Sequence, residues 1–336
     1  MKRATLLAFA GGTILFVLLL HHYGFAQLAA AVGVAGWGLL WVSLYRFVTL
    51  AADTAGWRVL FPGPLRPATG SLFRLRWIAE AINSLLPVAQ VGGDVERARL
   101  AARLGQSGAE AGATVVVDFT LGVITQLLYT LLGVWLFIRG GAAEGDARGW
   151  LLGLLVAALG IAGFYVVQRL SVFRKMAGIL RALVGGSIGE SLAGDASELD
   201  RKVAALYGQG GRLLMSAGWR MLAWLLHTGE TWLALYFLGA PVSFAQALVL
   251  ESLSNAVRSA AFVIPGGLGV QEGGFVLLGA RLGLTPEISL ALALVKRVRE
   301  LLVGGPGLIM WTTMEGRSLA RWLQPKAPRG AKNDRT

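Results

Sequence analysis

The residues of this 336-residue chain that could do chemistry are charged side chains set in apolar sequence and two glycine-rich breaks. One break holds Pro87, Gly92, Gly93 and Asp94; the other holds Pro265, Gly266, Gly267, Gly269 and Glu272. A proline stops a helix, and glycines leave the backbone bare for close approach. A helix that restarts there exposes free N–H groups at its N-terminus, which favour an anion such as a phosphate. Asp94 and Glu272 admit a second reading, as acids that cap or complement those helix starts. The two readings are compatible.

A further set of charges lies inside apolar stretches: Asp118, Glu230, Glu251, Arg258, Lys296, Arg297, Arg299 and Glu300. A charge at the centre of a membrane helix costs about 2.5–3.5 kcal/mol, so these groups must face one another, water or a polar ligand. Lys296 and Glu300 lie one turn apart and can pair. Asp118 has no opposite charge close in sequence, and Lys296 or Arg297 is expected to neutralise it. Asp94, Glu96, Arg97, Arg99 and Arg103 make a dense charged half-helix, with Arg99 and Arg103 on one face, suited to bidentate phosphate contact. The alternative is a solvated surface helix whose cations snorkel to lipid headgroups. His227 and Glu230 share a helix face, but the His-Glu-x-x-His zinc signature is missing. So are the nucleophile elbow, the P-loop and the dinucleotide fingerprint. No metal, cofactor or catalytic residue is expected.

The elements that must hold these groups are helices. Only 15% of the chain is charged, against about 25% in a soluble domain, and 55% is hydrophobic. Full membrane spans are expected at 4–20, 28–51, 111–138, 150–167, 213–238 and 287–311. The first follows Lys2-Arg3 like a secretory signal, but its length favours an uncleaved helix. Residues 71–103 and 243–281 are apolar but broken, and read as re-entrant helix pairs. The net charge of +12 comes from Lys and Arg gathered between spans, Arg58, Arg66, Arg74 and Arg76 among them, which speaks for membrane orientation over nucleic-acid binding. That bias puts both termini in the cytoplasm. Trp57, Trp150, Trp311 and Trp322 read as interfacial anchors, and residues 171–207 as a surface-lying helical segment.

The broken regions repeat. Pro87 to Asp94 is the same separation as Pro265 to Glu272, and Ala-Arg-Leu-Gly follows each at Arg103 and Arg281. Asp118 then falls on Lys296. The charge bias orients the two copies oppositely, the inverted plan of many transporters. The fold expected is therefore an all-α polytopic membrane protein in one domain over 1–322, with repeat elements 71–138 and 243–311. A basic, disordered cytoplasmic tail is expected at 323–336.

The segments "RWIAEAINSLLPVAQVGGDVERARLAARLG" (76–105), "VVVDFTLGVITQLLY" (115–129) and "VIPGGLGVQEGGFVLLGARLGL" (263–284) resemble the HpnL-type membrane proteins encoded with hopanoid biosynthesis genes. These sit within the lysylphosphatidylglycerol synthase transmembrane region family, and the likeness runs from about residue 1 to 322. The resemblance implies a flippase-like protein of the bacterial inner membrane. Its partners would be membrane lipids, hopanoid or phospholipid, and hopanoid biosynthesis proteins. Fused relatives carry a soluble aminoacyl-transfer domain; here about twenty residues follow the last span, so that activity is not expected. The headgroup path would run past Asn83, Pro87, Gly92, Gly93, Asp94, Arg97, Arg99, Arg103, Pro265, Gly266, Gly267, Gly269, Glu272 and Arg281. An integral membrane enzyme with Asp94 or Glu272 as general base, and a scaffold for lipid synthesis, are the other classes considered.

Overall fold

The computed structural model describes residues 33–63, 66–86, 92–140, 191–260 and 270–323. The expected spans at 4–20 and 150–167, the tail from 324, and the break residues Pro87, Pro265, Gly266, Gly267 and Gly269 lie outside them. The helices are α1 (Gly38–Leu60), α2 (Thr69–Leu85), α3 (Gly92–Ala102), α4 (Gly108–Arg139), α5 (Ser191–Tyr207), α6 (Gly210–Phe237), α7 (Phe244–Ala260), α8 (Val270–Arg281) and α9 (Pro286–Leu323). There is no strand among the described residues.

α2 and α3 are separate helices, as are α7 and α8; α2 ends in extended backbone at Leu86, and residues 87–91 and 261–269, where the interruptions are expected, lie outside the described ones. Local chemistry explains how the next helix starts in each half. Gly105 turns the chain at φ +89°, a left-handed value that suits glycine. Ser107 then caps α4, its hydroxyl accepting from the Glu110 N–H at 3.1 Å. A shift of 178 residues reproduces the device: Gly283 turns at φ +81°, and the Thr285 hydroxyl accepts from the Ile288 N–H at 3.3 Å. Proline occupies the first position of α9, where no N–H is needed. The same shift carries the start of α3 onto the start of α8, and that of α4 onto that of α9.

Packing follows the shift as well. α2 packs on α9 as α7 packs on α4, and α3 joins α2 to α4 as α8 joins α7 to α9. α1, shifted, overlaps α6, and these two pack on each other. They run antiparallel: Arg46 meets His227, and Asp53 meets Arg220. These two equivalent helices therefore point in opposite directions. One apolar core gathers Trp57, Phe61, Leu72, Ile78 and Val115, the other Leu39, Phe137, Leu253, Phe275 and Leu292.

Several expectations need correction. In the region of the expected 28–51 span, of which residues 28–32 lie outside the described ones, the helix turns at Gly36 and Trp37 and α1 then runs on to Leu60, because Trp57, Leu60 and Phe61 are buried core rather than loop. Trp57 is accordingly no interfacial anchor: it is fully buried under the Arg97 guanidinium, 4.4 Å from its ring centroid. Among the described residues, only α4 is long and apolar enough to cross a membrane by length and composition alone. The expected spans 213–238 and 287–311 do form helices, α6 and α9, but each turns charges inward: Arg220 and Glu230 on one, Lys296, Arg299 and Glu300 on the other. α5 packs on α4 with Leu206 buried.

The junction of α2 and α3 is tight. The Gly93 N–H donates to Asn83 Oδ1 at 2.8 Å, and a Cβ on Gly93 would collide with the Ala79 carbonyl oxygen. Backbone on backbone leaves nothing flexible to yield. Gly93→Ala is expected to cost about 1–3 kcal/mol, read as a lower melting temperature in detergent. Gly70→Ala, with open space around it, is the control and should melt like the parent.

Candidate polar cleft and charge network

Helical spacing puts Arg76, Glu80 and Asn83 on one face of α2, and Asp118, Gly122 and Gln126 on one face of α4. Asp94 stands in the first turn of α3, while Arg220 and Trp224 are a turn apart on α6. These four helices enclose a cleft of about 160 Å³ lined by Arg76, Glu80, Asn83, Asp94, Gln126, Arg220 and Trp224. Gly122 contributes no side chain to its wall. Gln126 also donates to the Ser259 hydroxyl at 2.6 Å, tying the wall to α7.

Under the cleft lie three aspartates and three arginines of the described residues. Asp118 is fully buried and takes Arg76 Nη1 and Arg97 Nη1, each at 2.7 Å, with Arg220 Nε at 3.6 Å. Asp53 holds Arg220 at 2.5 Å and Arg76 at 3.3 Å. Asp94 holds Arg97 at 2.7 Å and accepts from the Asn83 amide at 3.3 Å. The charges cancel, which makes their burial tolerable. The two guanidiniums at the cleft surface, Arg76 and Arg220, are held in place from behind by carboxylates.

A second network joins α1, α2, α6, α7, α8 and α9. Glu251 takes Lys296 at 2.5 Å, Asn255 at 2.8 Å and the Thr231 hydroxyl. Glu230 takes Arg299 at 2.9 Å, with Arg46 at 3.7 Å and Lys296 at 4.0 Å. Arg46 also pairs with Glu80 and contacts His227 Nδ1 at 2.8 Å. Arg297 reaches Glu272 and Glu300, both at 3.0 Å, and Arg258 reaches Glu300 at 3.3 Å. Among the described residues, five carboxylates (Glu80, Glu230, Glu251, Glu272, Glu300) here face five cations (Arg46, Arg258, Lys296, Arg297, Arg299).

Asp118 is therefore neutralised by Arg76, Arg97 and Arg220, not by Lys296 or Arg297, because α4 faces α2, α3 and α6 at that level while Lys296 is drawn to Glu251 on α7. The expected turn-apart pair of Lys296 with Glu300 gives way to Lys296 with Glu251 and Glu300 with Arg297. Of the expected path, Asn83, Gly93, Asp94 and Arg97 come together at the cleft, and Gly92 opens α3 beside them. Arg99 and Arg103 do not: both pair with Glu315 on α9, at 2.5 and 2.9 Å, and Arg99 also with Glu96. Glu272 joins the second network, and Arg281 stands in the last turn of α8. Sequence reasoning missed Arg46, Asp53, Glu80, Gln126, Arg220 and Trp224, and counted Arg76 as a loop charge. An available signal was Arg220, ten residues before Glu230 in one apolar stretch.

Both break acids are engaged by arginine, Asp94 by Arg97 and Glu272 by Arg297. No group of three His, Asp or Glu side chains suited to a metal occurs among the described residues. What the cleft presents is a set of charged, amide and aromatic side chains of the kind that fix the orientation of a small ligand.

A family model described as the lysylphosphatidylglycerol synthase TM region matches residues 5–306. A UPF0104 membrane protein of Methanothermobacter thermautotrophicus is 23% identical over 321 residues, covering 85% of this chain and 90% of that protein. A UPF0104 membrane protein of Pyrococcus horikoshii is 25% identical over 244 residues, covering 67% and 72%. No solved structure gives a significant match. With the matched region spanning both charge networks and the cleft, the chain belongs to the lysylphosphatidylglycerol synthase transmembrane-region family and is a membrane protein.

Proposed function

We propose that this protein carries the polar headgroup of a lipid, a hopanoid or a phospholipid, across the bacterial inner membrane without changing it covalently. The observation that carries the reading is the cleft between α2, α3, α4 and α6, a polar recess beside a helix break in an apolar bundle. Irregular backbone at membrane depth survives where it lines such a cavity. The antiparallel packing of α1 on α6 and the recurrence of helix starts at 178 residues support an inverted repeat, a plan that puts ligand sites at the repeat interface. On this reading α2–α3 and α7–α8 are re-entrant pairs entering from opposite faces, and both termini are cytoplasmic. The inward-facing charges of α6 and α9 are then the polar lining of membrane-crossing helices, not a bar to crossing.

Leaflet exchange tests it. The purified full chain is reconstituted with a fluorescent phospholipid in one set of liposomes and a labelled hopanoid in another. An impermeant quencher reads the outer leaflet while mass spectrometry reads the lipid. Exchange should exceed that of empty liposomes, with lipid mass unchanged. Gln126→Leu, which removes a cleft amide, should slow it by about tenfold, the effect of losing roughly 1.4 kcal/mol of headgroup interaction. Exchange at the empty-liposome rate for both lipids would end the proposal. A changed mass would favour the enzyme, with Asp94 or Glu272 as its base.

A further inference from the structure

The 178-residue shift carries the cleft lining onto the second half of the chain. Arg76 maps to Ser254, Glu80 to Arg258, Asp94 to Glu272, Phe119 to Arg297 and Gly122 to Glu300. The mapped side chains close on one another. Arg258 Nη1 lies 3.3 Å from Glu300 Oε1, Arg297 Nη1 3.0 Å from Glu300 Oε2, and Arg297 Nη2 3.0 Å from Glu272 Oε1. Where the first half has the bare Gly122 in its wall, the second has the carboxylate that two arginines clasp. Beside this quartet the Ser254 hydroxyl and Glu272 Oε2 are buried with no hydrogen-bond partner. Buried polar atoms are nearly always satisfied, so each of these two calls for a partner such as water or a polar ligand group.

We propose that Arg258, Glu300, Arg297 and Glu272 form a latch over a second polar half-site, the counterpart of the open cleft, which opens toward the opposite membrane face when the quartet parts. Its purpose in a transport cycle rests on the reading given above; its existence is a geometric claim of its own. In an inverted repeat, one half open and the other shut is one of two related arrangements, and side-chain ion pairs that can exchange partners with water or a headgroup are suited to switch between them. Ser254 and Glu272 would then meet water or the headgroup in the open arrangement.

The chain has no native cysteine, so thiol labelling reports on the latch without any transport assay. Ser254→Cys, reconstituted in liposomes, is treated with an impermeant maleimide from one side at a time. With the quartet intact, labelling should be slow. Glu300→Gln in the same background should speed it by about tenfold or more, as expected when a minor open population becomes a substantial one. Arg258→Gln, which breaks the same pair from the other helix, should do likewise, whereas Arg258→Lys keeps the pair and the protection. Val123 also lines the open cleft, and Val123→Cys should label without any latch mutation and from the opposite side. Slow labelling of the Ser254→Cys thiol in whichever of the Gln variants remain monodisperse would overturn the latch, and labelling of both introduced thiols from the same side would overturn the opposed half-sites. If the Ser254→Cys thiol becomes reactive but no lipid exchanges leaflets, the latch stands and the transport reading falls. If lipid exchanges while that thiol stays protected in the Gln variants, the reverse holds.

Discussion

Replacing Asp118 by Ala should lower the stability of the folded bundle by about 3–5 kcal/mol, the cost of removing one partner from a buried ion pair. Asp118 is fully buried and is the point where α2, α3 and α6 reach α4, through Arg76, Arg97 and Arg220. Without it, three guanidiniums face only Asp53 and Asp94 among the described carboxylates. Asp118→Asn keeps the shape but not the charge, so it should be nearly as damaging. The check is a melting curve of purified protein in detergent, together with the monodisperse fraction. Adding Arg97→Met to Asp118→Ala should recover part of the loss, because a buried charge leaves with its partner and an apolar side chain fills the space. Adding Lys296→Ala should recover none, since Lys296 belongs to Glu251. Recovery by Lys296→Ala instead would overturn the pairing described here.

That contrast also locates what the sequence discloses. The α4 span was legible because a run of that length, apolar apart from a few polar residues such as Asp118 and Gln126, has few other uses. The starts of α3 and α8 were legible because proline and glycine act locally, and Pro87–Asp94 and Pro265–Glu272 match in spacing without a gap. In the structure the same 178-residue spacing recurs in the capping residues, in positive-φ Gly105 and Gly283, and in α1 with α6. Partners were not legible. Asp118 and Lys296 announce themselves as buried charges, yet a sequence gives no distance between elements, and both found mates on helices far off in the chain. Arg76 misled in a specific way: it sits among Arg58, Arg66 and Arg74, which suit a topology-setting cluster, while a helical face turns it inward to Asp53 and Asp118. The same holds for Arg99 and Arg103, whose phosphate-like spacing is taken up by Glu315 from a helix more than two hundred residues away.

The second large effect is expected at Glu230. It lies on α6 with 1% of its surface exposed, and it draws together Arg46 of α1 and Lys296 and Arg299 of α9. These three cations do not depend on it equally. Arg46 keeps Glu80 and Lys296 keeps Glu251 when Glu230 is gone, but Arg299 has Glu230 as its ion-pair partner among the described residues, at 2.9 Å. Glu230→Ala should therefore cost about 3–5 kcal/mol, much of it from the buried Arg299, which loses its direct ion pair and keeps only the longer-range attraction of Glu80 and Glu300. Arg299→Met alone should cost less, because Glu230 retains Arg46 and Lys296 at 3.7 and 4.0 Å. The double variant Glu230→Ala with Arg299→Met should melt above Glu230→Ala, giving a coupling of about 1–3 kcal/mol between two residues in direct contact. Melting curves of the four proteins in one detergent close the cycle. A coupling near zero would mean that Arg299 finds its counter-charge elsewhere, and that Glu230 does not tie α6 to α9.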